Sequence, residues 1–220
     1  MSEVNLELAR YNMVEQQIRP WEVLEERILD VLEELPREVF VPVGRRNLAY
    51  ADLQLPIGHG EVMLEPKVEA RLLQALGPRP DERALEIGTG TGYLAACLGR
   101  LAGEVLTIDR LDTFCEGARQ RLREQGVANV RCDTGDAAHG WDDGVAYDVI
   151  AVTGSLPVFH RGFHRSLTVG GRLVMIVGDD PIMEALLITR VGPDQWATES
   201  LFDTSVPALV GAPRSTSFEL

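Results

Sequence analysis

The sequence predicts an α/β fold: a mostly parallel sheet with an antiparallel C-terminal edge, preceded by an N-terminal helical cap. Three observations predict it. From residue 83 onward short apolar runs alternate with helical stretches, the pattern of parallel strands joined by crossover helices. A glycine-rich turn, Gly88-Thr89-Gly90-Thr91-Gly92, follows the first of those runs and opens a helix. Two strand-like stretches near the end, 184–190 and 196–203, are separated by only the VGPDQ turn, which antiparallel neighbours permit and parallel ones do not. The three together describe a doubly wound, Rossmann-like sheet.

In chain order, Leu24, Ile28, Val31 and Leu35 recur at helical spacing while Glu22, Glu25, Glu26, Glu33 and Glu34 fall largely between them, so a helix with a solvated acidic face is expected, ended by Pro36. Residues 39–60 are dense in Pro and Gly and read as an ordered but irregular segment. A second helix starts near Pro66, carries Val68, Leu72 and Leu76 on one face and stops at Gly77-Pro78. Strands are then expected at 84–87, 105–109, 129–132, 147–152 and 172–177, with helices over 92–101 and 111–125 and a short helical stretch near 157–166, covering both faces of the sheet. No repeat or long linker appears, so residues 1–80 are expected to cap a core of residues 81–220.

Composition narrows the function. With 21 Lys plus Arg against 34 Asp plus Glu, the net charge of −13 argues against a nucleic-acid partner, which needs cations to displace counterions. Lys67 is the single lysine, so no polybasic membrane patch is expected. No apolar run is long enough to cross a bilayer, and the opening MSEVNLELARYN lacks the layout of a secretory signal, so a cytoplasmic protein is expected. Cys97, Cys115 and Cys132 show neither CxxC nor zinc-finger spacing and are expected as small core residues. His160 and His164 stand four apart, the spacing of paired metal ligands, but no Glu lies between them. No metal is expected, and the pair is read as a surface or cap-facing one.

The glycine turn carries the chemistry. Glycines there let the backbone approach a ligand, and Asp109, at the end of the next strand, is placed to accept hydrogen bonds from a ribose diol, with Arg110 beside it. A dinucleotide fingerprint GxGxxG would need glycine where Tyr93 stands; Gly88, Gly90 and Gly92 are spaced GxGxG instead. With Glu86 two residues before the first glycine, the segment resembles motif I of the S-adenosylmethionine-dependent methyltransferases. A carboxylate beside the loop suits a cofactor with cationic amino and sulfonium groups. Asp136, followed by Ala137, is suited to the adenine amino group. Glu86, Gly88, Thr89, Gly90, Gly92, Asp109, Arg110, Asp136 and Ala137 are the expected cofactor residues.

Over nearly its whole length the chain resembles the protein-L-isoaspartate O-methyltransferase family. The resemblance rests on Met13-Val14, PREVFVP (36–42), AYADLQLPIGHG (49–60), LEIGTGTGYLAA (85–96), YDVIAVTG (147–154), GGRLVMIVG (170–178) and FDTSVPALVG (202–211). It implies methyl transfer from S-adenosylmethionine to the free carboxylate of an isoaspartyl residue in a damaged protein or peptide, with the N-terminal cap and the PIG loop (Ile57, Gly58, His59 and, further on, Met63) forming the acceptor site. The chain departs from the family in one place that bears on the acceptor. The family usually reads GQTIS(x)P, its serine positioning the acceptor; here residues 60–66 read GEVMLEP, so Leu64 stands at the serine position and Glu65 adds a charge unfavourable to a carboxylate if it faces the site. Thr153 and Ser155 are the hydroxyls expected on the acceptor side. Two alternatives accompany this reading: the same fold methylating another acceptor, and a non-catalytic cofactor-binding homologue. The sequence leaves the oligomeric state open.

Overall fold

The computed structural model describes residues 5–214. Its N-terminal third is helical. Helix α1 (Leu6–Met13) is capped by the Asn5 side chain and runs into a single π-helical turn. Helix α2 (Glu26–Glu34) follows, burying Ile28, Leu29, Val31 and Leu32 while its glutamates face solvent. Each of those side chains contributes about 1.5–3 kcal/mol by leaving water. Leu24, expected on this stripe, lies before the helix and is exposed; Leu35 closes it and is buried. After the short α3 (Arg37–Phe40), part of the segment read as irregular forms a small antiparallel hairpin of β1 (Leu55–Gly58) and β2 (Glu61–Met63). Helix α4 (Pro66–Leu76) has Pro66 in its first turn and ends on Gly77 in the left-handed conformation, as its sequence signals require.

The main sheet has the order β5-β4-β3-β6-β7-β8-β9. Its members are β3 (Arg83–Ile87), β4 (Glu104–Asp109), β5 (Val130–Thr134), β6 (Tyr147–Leu156), β7 (Leu167–Asp179), β8 (Ile182–Gly192) and β9 (Gln195–Thr204). Strands β3 to β7 run parallel, and β8 and β9 add the antiparallel edge. The chain winds outward through β3, β4 and β5, then returns to place β6 on the other side of β3. The strand order therefore reverses between β3 and β6, the point where an open sheet parts at its carboxyl ends to leave a ligand crevice.

One face of the sheet is covered as expected. Helices α2, α4, α5 (Tyr93–Leu101) and α6 (Asp112–Glu124) pack there with Ala84, Val105 and Val149 in a single core that also takes in Met13, Val14 and Ile18. The opposite face corrects the sequence reading. Pro157 and Gly162 interrupt the stretch expected to be helical at 157–166, and only a 3₁₀ turn, His164–Ser166, forms. Phe163, Trp141 and Trp196 close that face over Leu85, Ile150 and Met175 in place of helices.

Candidate active site

The crevice at the strand-order reversal is a cavity of about 400 Å³, within the range of small-molecule sites. Its floor is the ends of β3, β4 and β5. After Ile87 the chain turns through Gly88 at φ +99°, and a Cβ there would lie 2.3 Å from the Thr153 hydroxyl on β6, so no other residue fits. The Gly88 N–H donates to the Ile108 carbonyl (2.8 Å) and the Gly90 N–H to Asp109 Oδ2 (2.9 Å), which fixes the loop against β4. Asp109 Oδ1 accepts from the Leu111 N–H at 2.9 Å. Each carboxylate oxygen has a second lone pair, so Asp109 can still receive two hydroxyl donors. Asp136, after β5, is exposed at the cavity, with Oδ1 accepting from Ala138 N–H (3.0 Å) and Oδ2 free of that bond.

Two segments far apart in sequence complete the walls. The β1–β2 hairpin brings Ile57, His59, Glu61, Val62 and Leu64, and the chain after β9 brings Pro207 to Val210. That C-terminal strap is pinned to β6: the Ser155 N–H donates to Pro207 and the Leu209 N–H donates to Ser155, both at 2.9 Å. His59, at the hairpin turn with φ +57°, meets Phe114 of α6 edge to face. Ile108, Ala137, Ala138 and Leu209 make the rest of the lining largely apolar, with Arg110 exposed at the rim.

Beneath the loop a smaller cavity of about 40 Å³ is lined by Met63, Leu64, Glu69, Glu86, Thr89 and Thr153. Glu86 is buried there, accepting from Thr107 Oγ1 at 2.5 Å, and Thr107 in turn meets Thr89 Oγ1 at 2.7 Å. Burial pushes the Glu86 carboxyl up to about 8, against the pull of the Thr107 hydrogen bond. It lines the smaller cavity and braces the loop from below, outside the lining of the main cavity. Tyr93 is likewise structural: buried at the start of α5, it packs on Phe40, and the Arg37 guanidinium lies 4.7 Å from its ring centre.

The family profile described as protein-L-isoaspartate(D-aspartate) O-methyltransferase (PCMT) matches residues 9–203. The chain belongs to the protein-L-isoaspartate O-methyltransferase family. Relatives bearing that name include protein-L-isoaspartate O-methyltransferase 1 of Rhodopseudomonas palustris (strain HaA2), 40% identical with 92% of this chain and 83% of the relative covered. Protein-L-isoaspartate O-methyltransferase 2 of Pelobacter propionicus is 38% identical, with 94% of this chain and 93% of the relative covered. The fold agrees with the crystal structure of a Plasmodium falciparum protein assigned to the same enzyme, in complex with S-adenosyl-L-homocysteine. That similarity has a TM-score of 0.77 at 17% identity, with 94% of this chain and 99% of that chain covered.

Within this family member the expected site residues divide. Ile57, His59, Leu64, Gly88, Gly90, Asp109, Arg110, Asp136, Ala137 and Thr153 line the main cavity, and Met63, Glu86 and Thr89 line the smaller one. Gly58 lines neither and serves the hairpin. Gly92 also stands apart: a Cβ there would come within 2.8 Å of Ala118 Cβ, so its glycine lets α5 and α6 pack closely. Ser155 is fully buried and lines neither cavity, its hydroxyl having no partner among the described residues. The Thr153 hydroxyl donates to the carbonyls of Ile87 (3.0 Å) and Gly88 (3.1 Å), so it meets a ligand as an acceptor only. Glu65 turns away toward Gln54, and the acid of this segment that faces the cavity is Glu61. His164 is buried against Trp196, not on the surface.

Phe114 and the 207–210 strap are the parts that sequence reasoning missed, while Glu61 lies within residues 57–64, the loop expected to shape the acceptor site. The hairpin register pairs Gly58 with Glu61, with an irregularity between Pro56 and Gly58, so strand alternation could not say which of Glu61 and Glu65 points inward. The strap reaches the site through its pairing with β6 and through the Gln54 side chain, which donates to the Ser205 carbonyl.

Proposed function

We propose that this chain transfers the methyl group of S-adenosylmethionine to the free carboxylate of an isoaspartyl residue in a protein or peptide. The observation that carries this reading is the cavity itself. A glycine loop, Asp109 and Asp136 line up along the strand ends, and a hairpin from the N-terminal segment covers them. The fit to the cofactor follows from the donor set: Asp109 keeps two lone pairs for a diol, Asp136 keeps a free oxygen for an amino group, and Ala137, Ala138 and Leu209 offer flat apolar surface to a purine. Family membership points to the same chemistry.

When bound, S-adenosylmethionine supplies an activated methyl group on a positively charged sulfur. The chain's residues have little acid–base work to do, because the acceptor carboxylate is already ionised at neutral pH. Their contribution is alignment and the exclusion of water. Gly88 and Gly90 hold one side of the cavity fixed against Thr153 and Asp109, while Ile57, Val62 and Leu64 present an apolar hairpin wall that strips water from an entering carboxylate. Repair of damaged proteins and a cytoplasmic location belong to the same proposal. Among the described residues no helix is long and apolar enough to cross a membrane.

Calorimetric titration with S-adenosylhomocysteine, followed in the same preparation by transfer of labelled methyl to an isoaspartyl peptide, tests the reading. Binding with transfer supports it. Binding without transfer favours the second reading, a different acceptor, for which the specific observation is Leu64: its side chain lines the cavity where the family has a serine, and Thr153 offers no replacement donor.

A further inference from the structure

The cavity contains one acid that neither the glycine loop nor the strand ends account for. Glu61, at the start of β2, lines the cavity half-buried, and among the described residues no Lys or Arg forms an ion pair with it. Its surroundings disfavour its charge. Burial raises its carboxyl, the Asp109 carboxylate raises it further, and only His59 across the hairpin turn works the other way. A desolvated carboxylate next to a second one destabilises the free protein, and such an arrangement is characteristic of sites where a ligand brings the missing charge.

Its position says which ligand. Asp109 ends β4 and Asp136 follows β5, where both are accounted for by the cofactor fit. Glu61 enters with Ile57, His59 and Leu64 from the hairpin, the side that faces an acceptor on the function proposed above. The reacting group there is a carboxylate, which Glu61 repels. An acceptor that carries a cation beside its carboxylate turns that repulsion into attraction, and the apolar neighbours Val62 and Leu64 strengthen it by lowering the local dielectric. The net charge of −13 on the whole chain acts in the same direction at longer range.

Resting on that function, we propose that Glu61 is a specificity-determining residue that selects isoaspartyl acceptors with a Lys or Arg next to the isoaspartyl residue and discriminates against acidic neighbours. The test uses three fluorescent isoaspartyl peptides that differ only in one adjacent residue, Lys, Gln or Glu. Equilibrium binding to the full chain saturated with S-adenosylhomocysteine is measured alongside methyl transfer at low peptide concentration. The wild type should bind in the order Lys, Gln, Glu, with a total spread of about tenfold, the size of one partly screened charge pair, shrinking as salt is raised. Glu61→Gln should flatten the order and Glu61→Lys should invert it, the inversion being an outcome that mere loss of folding cannot produce. Equal binding of all three peptides by the wild type, or the same order in Glu61→Lys, overturns the proposal. Because binding is read without turnover, an absence of methyl transfer with every peptide contradicts the isoaspartyl function alone. Failure of every peptide to bind contradicts both.

Discussion

On the proposed function, cofactor recognition turns on Asp109, which holds the Gly90 loop and keeps lone pairs free for a ligand. Asp109→Ala should weaken S-adenosylhomocysteine binding by at least tenfold, the loss of about 1.5–3 kcal/mol expected for hydrogen bonds to a charged acceptor. Calorimetry reads it, and unchanged affinity would remove the assignment. Leu64 carries the acceptor question. Leu64→Ser restores a hydroxyl at the cavity wall and should raise the transfer rate to an isoaspartyl peptide while lowering Tm, because a side chain only 6% exposed is lost from the core. A rate that does not rise would show that the acceptor is held without that hydroxyl. At this scale the sequence was most legible where function is local in the chain. The spacing of Gly88 and Gly90 and the strand-end positions of Asp109 and Asp136 survive folding unchanged. Ser155 misled because spacing does not reveal burial.

Helix α3 is tied to the elements around the site by one buried cation. Arg37 pairs with Glu69 of α4 and donates to the carbonyls of Leu64, beyond the hairpin, and Ala49 (2.9 Å). Arg37→Met should cost about 3–5 kcal/mol, because it strands the Glu69 carboxyl and two carbonyls in the interior. Denaturant unfolding measures this, and replacing Glu69 by Leu in the same chain should recover part of it. The helix-free face of the sheet has its own signature. Burial, with the charges of Arg161 and His160, lowers His164 to about 4 from an ordinary 6.5. The unfolded chain takes up a proton on acidification that the fold refuses, so this contribution to stability is complete above pH 6.5 and is lost as the pH falls toward 4. Tm should drop across that range, and His164→Phe, which keeps a ring against Trp196, should drop less between pH 6.5 and 5. Helices α2, α4, α5 and α6 were readable from apolar periodicity and from Pro and Gly punctuation. The segment at 157–166 was not, because its apolar residues follow the demands of the sheet face and not of a helix.

For the whole molecule, alternating strands and helices made the sheet and its antiparallel edge legible. The closure of the site was not. The hairpin at 55–63 and the strap at 207–210 lie about 150 residues apart and meet over the crevice because β6 holds the strap at Ser155 and Gln54, before the hairpin, donates to the Ser205 carbonyl. A contact of that kind leaves no periodicity or motif. The hairpin, the strap and the strand ends nevertheless converge on one cavity, and the central claim is that this cavity methylates an isoaspartyl carboxylate. The most direct measurement incubates the protein with S-adenosylmethionine and an equal mixture of an isoaspartyl peptide and its normal aspartyl isomer, then follows methyl ester on each by mass spectrometry. The account predicts ester on the isoaspartyl peptide, suppressed by S-adenosylhomocysteine and by Asp109→Ala. Ester on neither peptide from a protein that binds S-adenosylhomocysteine, or equal ester on both, would contradict it.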